Sequence, residues 1–142
     1  MSSRTWIFKV WLDTPRKGRV RLYYVVMVFK TVKKMRAAID GLALANNWDT
    51  CYGNKDTYGR CLEYTKPEAT GEVGIIFLSR DSGSGIAAHE MFHAAWSYVV
   101  KKKKQINVSL RIEEKIASLL QSLVTQYWTE YHEFAESEEQ SE

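Results

Sequence analysis

The stretch Gly85 to Trp96, GIAAHEMFHAAW, carries two of the chain's three histidines, four residues apart, with a glutamate directly after the first. On a helix, at about 100° per residue, His89 and His93 fall within about 40° of one another and Glu90 lies beside them. Ala88, Met91, Phe92, Ala95, Tyr98 and Val99 take the opposite side, so that one face is apolar and the other holds the chemistry. That chemistry is metal-assisted hydrolysis. Two imidazoles one turn apart can reach one tetrahedral zinc, and the intervening carboxylate is close enough to take a proton from a water activated at the metal. With 3 His among 142 residues, chance would produce H-E-x-x-H in about 0.5% of such chains. The competing reading is a pair of surface histidines on an ordinary helix.

A structural or catalytic zinc needs a third protein ligand. The remaining histidine, His132, is distant, whereas RIEEKIASLLQSLVTQYW places Glu113 and Glu114 about twenty residues after His93. In this pairing of HEMFHA with EEKIA the chain resembles the gluzincin metallopeptidases, the thermolysin-like and minimal forms in which H-E-x-x-H is followed on a second helix by a zinc-binding glutamate. It is also similar to small phage-encoded metallopeptidase-like proteins with HExxHA followed by EExxA. The resemblance covers Val73 to Trp128, roughly 40% of the chain.

The resemblance implies Zn2+ as cofactor, His89, His93 and Glu114 as its ligands, Glu90 as catalytic general base, and a peptide or protein substrate. Glu114-Lys115-Ile116-Ala117 fits the E-x-x-A pattern, with Ser118 where larger relatives often carry a supporting aspartate. The helical wheel is less tidy: Glu113 points nearer the centre of the stripe Ile112, Ile116, Leu119, Leu120, Leu123 and Tyr127, and Glu114 sits at its border. Both glutamates also suit the acid-favouring start of a helix. In such enzymes the strand before the active helix, here Gly74 to Ser79, lines the cleft as an exposed edge and pairs with an extended substrate. Larger relatives supply a Tyr or His donor to the developing oxyanion. Tyr98, Tyr127, Tyr131 and His132 are candidates by residue type, and the aromatics equally suit packing.

The elements that must position these residues form a strand-rich first half and a helical second half. TWIFKVWLD and RVRLYYVVMVF, separated by TPRKG, read as an antiparallel pair. Val32, Met35, Ala38, Ile39 and Leu42 mark a helix to about Ala45. NNWDTCYGNKDTYG reads as loop. Strands are expected near Arg60 to Thr65 and Val73 to Ser79, then a break at RDSGSG with Ser82 or Ser84 as helix cap. Helices near Ile86 to Lys101 and Val108 to Tyr131 follow. The expected fold is α+β: a small twisted, mainly antiparallel sheet packed on an active-site helix and a glutamate helix, zincin-like, in one domain over 1–132. The acidic segment 133–142, with ESEEQSE, is expected to be a disordered tail.

Length and composition agree with one folded domain. No run approaches the roughly 20 apolar residues of a membrane span, and the N-terminal segment lacks a secretory signal. A cytoplasmic location is therefore expected, the host cytoplasm for a phage-encoded chain, with no membrane partner. Cys51 and Cys61 are expected as free thiols, with pairing as the alternative in an exported protein. The net charge of +3 is uneven: ten basic residues and one acid lie between Arg4 and Arg36, and six glutamates between Glu130 and Glu142. A solvated basic surface accounts for the first group better than a nucleic-acid site, because strand aromatics such as Trp6, Trp11, Tyr23 and Tyr24 usually serve packing. The acidic tail could shield the cleft or simply stay solvated. A non-catalytic zinc-binding or partner-binding protein on the same scaffold is the alternative function, and Glu90 weighs against it because a structural zinc has no use for a general base.

Overall fold

Alternation sets the first strand. In β1 (Trp6–Trp11) Trp6, Phe8 and Val10 are buried, and Ile7 and Lys9 are exposed. This strand pairs antiparallel with β2 (Tyr23–Phe29), from Trp6 opposite Val28 to Trp11 opposite Tyr23. The computed structural model describes residues 4–46, 57–101 and 110–141. After β2, α1 (Val32–Ala45) starts at Thr31, whose side chain accepts a hydrogen bond from the Lys34 amide, and it buries Met35, Ile39 and Ala43. β3 (Arg60–Glu63) and β4 (Glu72–Ser79) complete a four-stranded mixed sheet in the order β1-β2-β4-β3. The β2–β4 pairing is parallel, and the other two pairings are antiparallel.

Both sheet faces are covered. One face, with Tyr24, Val26, Val28, Ile76 and Leu78, packs on α2 (Ser84–Trp96) and α3 (Leu110–Ser141) in the main core. The other face, with Phe29 and Phe77, packs on Met35 and Ile39 of α1. Gly74 lets strands and core close up: a Cβ there would lie 2.1 Å from the Leu62 carbonyl oxygen and 2.7 Å from the Tyr24 ring. The α+β class, the β1–β2 pair and α1 agree with the sequence reading.

Four expectations change. The strand before the active helix, β4, is not an edge; it is hydrogen-bonded on both sides, and β3 occupies the edge. Strand order follows long-range pairing that local sequence does not encode. Neither Ser82 nor Ser84 caps α2, because Gly83 sits at the cap position with φ 83°, and the Ser82 hydroxyl instead donates to the Tyr58 carbonyl at 3.0 Å. The end of α2 widens into a π-helical turn over Ser97–Lys101. Finally, α3 does not stop near Tyr131. It continues as helix through the acidic segment to Ser141, with Phe134 and Ala135 packed against the main core.

The last turns of α3 are held by one side-chain cluster. Arg80 makes two hydrogen bonds to the Glu138 carboxylate, at 2.9 and 3.0 Å, and lies 3.8 Å over the Trp6 ring, while Trp6 Nε1 donates to the same carboxylate at 2.8 Å. Farther back on α3, Gln126 accepts from the Trp11 amide at 2.7 Å and donates to the Trp11 carbonyl at 3.0 Å. Its side-chain amide thus occupies the outer edge of β1 as a neighbouring strand would.

Candidate metal centre

α2 is enclosed on two sides, by the sheet and by α3, so its buried arc is wider than a simple two-sided wheel allows. Ala87, Glu90, Met91, Ala94 and Ala95 are buried, and His89, Phe92, His93 and Trp96 are exposed. Phe92 therefore lies outside, against Trp96, rather than in the apolar face, and Glu90 lies inside rather than with the histidines on a polar face. Its alanines permit this arrangement because they let the helix approach its neighbours closely.

His89 and His93 converge. Their Nε2 atoms are 3.1 Å apart, with the rings crossed at 80°. The pair fits one edge of a tetrahedral zinc site, where Zn–N bonds of about 2.0–2.1 Å place two nitrogens about 3.3 Å apart. Glu90 is only 6% exposed. Burial pushes its carboxyl above the usual range, opposed by His89, His93 and Arg60 and by a main-chain hydrogen bond from Cys61. It therefore faces β3, and the strand's approach depends on Gly59, where a Cβ would lie 2.7 Å from Ile86 Cγ2 and 3.1 Å from Glu90 Cγ.

The glutamate of α3 does not join them. Glu113 and Glu114 are both exposed, and Glu114 lines a groove with Asp13, Arg16, Tyr98 and Arg111. The reason is rotational: buried Ile112 and Ile116 fix the inward face of α3, and a glutamate one or two residues after Ile112 points about 100° or 200° away from it. Among the described residues no group of three or more His, Cys, Asp or Glu is placed to hold a metal ion. His132 is exposed and packs beside Trp128.

Of the oxyanion candidates, Tyr127 is buried in the core against Phe8 and Trp128, and Tyr131 meets Trp6 edge to face. Tyr98 hydrogen-bonds Asp13. Cys61 carries a free thiol that burial pushes up to about 12, and Cys51 lies outside the described residues. Local sequence gave no signal for the roles of Gly59 and the β3 edge, because their contacts with α2 are long-range.

Among the described residues no helix is long and apolar enough to cross a membrane. No protein-family model matches the chain, and no curated protein or solved structure matches it.

Proposed function

We propose that the protein is a zinc-dependent peptidase of the gluzincin kind, with His89 and His93 as metal ligands and Glu90 as general base. The observation that carries the reading is the convergence of the two imidazole nitrogens beside a buried carboxylate on one helix. A four-stranded α+β sheet with α2 and α3 packed on one face is compatible with a zincin-like architecture.

Bound at the pair, zinc would supply Lewis-acid polarisation of a peptide carbonyl and a water of lowered pKa. Glu90 takes the proton from the attacking water and returns it to the leaving amine. Burial raises its proton affinity, the direction that favours accepting that proton. At the outer edge of β3 the Cys61 amide is taken by Glu90, and the main-chain groups of Glu63 beyond it offer a donor and an acceptor that align an extended substrate. Glu114 is the third ligand implied by the resemblance. Its groove lies apart from the histidines and its side chain points away from the buried face of α3, so completing that ligand set requires α3 to rotate about its axis against α2.

A non-catalytic zinc-binding or partner-binding protein is the second reading, favoured by the absence of a gathered third ligand among the described residues. Elemental analysis of wild type and Glu114→Gln, with casein cleavage by wild type and Glu90→Gln, separates the two. One zinc per chain, lost in Glu114→Gln, and cleavage reduced at least about 100-fold in Glu90→Gln are expected. Zinc without cleavage would favour the binding protein. Full zinc in Glu114→Gln would move the third ligand elsewhere, and no zinc in wild type would defeat the proposal.

A further inference from the structure

A cavity of about 220 Å3 opens where the end of β3 meets the end of α2. Leu12, Pro67 and Val73 give it apolar walls, and Tyr24 and Tyr98 contribute rings. Glu63 is the one charged residue among those lining it, and its carboxylate lies near enough to the Tyr24 hydroxyl, together with Cys61, to hold that hydroxyl protonated. A cavity with apolar walls, the hydroxyl-bearing Thr65 and Ser97, and a single carboxylate at its exposed side matches a side chain with a hydrocarbon stem and a cationic head.

Its position relates it to the candidate centre. On β3, Glu63 lies two residues beyond Cys61, whose amide bonds Glu90, and strand alternation puts both on one face, about 6–7 Å apart. Ser97, which begins the π-helical turn directly after α2, lines the cavity one turn beyond His93, a rise of about 6 Å. Strand and helix therefore lead from the Glu90 carboxylate to the cavity in the same direction. The distance equals about two residues of an extended peptide paired along the β3 edge. Beyond Tyr98 the next hollow is lined by Arg16, Arg19 and Arg21 against the single acid Asp13, so its net charge favours a cation less than the Glu63 side of this tyrosine does.

We infer that the Glu63 cavity is a specificity pocket for a lysine or arginine side chain of a peptide lying along β3, so that the substrates are peptides with a basic residue about two positions from the bond at Glu90. This rests on the peptidase reading for the position of the scissile bond. The recognition itself is readable without cleavage.

The test uses zinc-loaded Glu90→Gln protein and alanine-based nonapeptides carrying a single Lys, norleucine or Glu at each position in turn, competing with a fluorescein-labelled Lys peptide followed by anisotropy. At one position Lys is expected to bind about tenfold more tightly than norleucine, which has the same stem without the charge. Glu63→Gln should bring the two within about twofold, and Glu63→Lys should reverse the preference toward Glu. Equal binding of Lys and norleucine at every position, a preference that survives Glu63→Gln, or no binding of any peptide would overturn the inference. Wild-type cleavage of the same peptides is scored separately. A Glu63-dependent preference without cleavage sinks the peptidase reading and leaves the pocket, whereas cleavage without the preference does the reverse.

Discussion

A carboxylate with 6% of its surface exposed works against the fold whenever it is ionised. For Glu90 the sign follows from burial, which raises its folded-state pKa above the unfolded value. Between those two values the folded chain holds a proton that the unfolded chain has released, so stability falls as pH rises through that window and stays reduced above it. Below the ordinary glutamate range both states are protonated and the penalty vanishes. Metal-free Glu90→Gln protein should therefore be more stable than wild type at pH 7, by on the order of 1 kcal/mol, and no more stable near pH 4. Urea titrations at the two pH values check this. A variant less stable at pH 7 would mean that the Cys61 amide and the neighbouring cations outweigh desolvation. The histidine spacing and the intervening glutamate were legible in the sequence because helical periodicity alone brings them together. The burial of Glu90 was not, since a wheel with one wet and one dry side cannot anticipate β3 lying over the wet one.

The separation of β3 from α2 is set at Gly59, where Ile86, Glu90 and Leu78 leave no room for a methyl group. Gly59→Ala should destabilise the protein by about 1–3 kcal/mol, because the new Cβ would overlap Ile86 Cγ2 at 2.7 Å and Ile86 is packed against the main core. It should also lower peptide affinity more than a comparable core substitution far from β3, as read by thermal melting alongside the anisotropy assay. The local elements were legible for a physical reason. The alternation in Trp6–Trp11 and the i, i+3, i+4 spacing of Met35, Ile39 and Leu42 are properties of a single segment. The interior place of β4 was not, because a nearly continuous apolar run such as VGIIFL also suits an edge covered by another element. Gln126 treats the two sheet edges differently: it fills the Trp11 position on β1, whereas β3 faces outward at the other edge.

Across the whole molecule, the acidic end is structural. Glu138 joins Arg80 and Trp6, and Phe134 and Ala135 pack on the core, so charge counting alone misjudged a segment whose contacts lie more than fifty residues away. Removing residues 133–142 should lower stability by about 2–4 kcal/mol and should not raise peptidase activity. Higher activity in the shortened chain would restore the shield. The basic half is likewise partly committed, with Lys9 over Tyr23 and Arg21 over Trp11 on the α1 side of the sheet, and Trp6 and Tyr24 buried. The strand order has a further result for the order of events at the ribosome. β4 is made last yet lies between β2 and β3, so both earlier strands emerge with an unsatisfied edge and wait for it. Closure of the sheet becomes possible only once Ser79 is out, and the helix bearing His89, Glu90 and His93 follows within a few residues. The nascent chain is thus most exposed to mispairing just before its candidate centre is made, and a chaperone that shields strand edges would act in that interval.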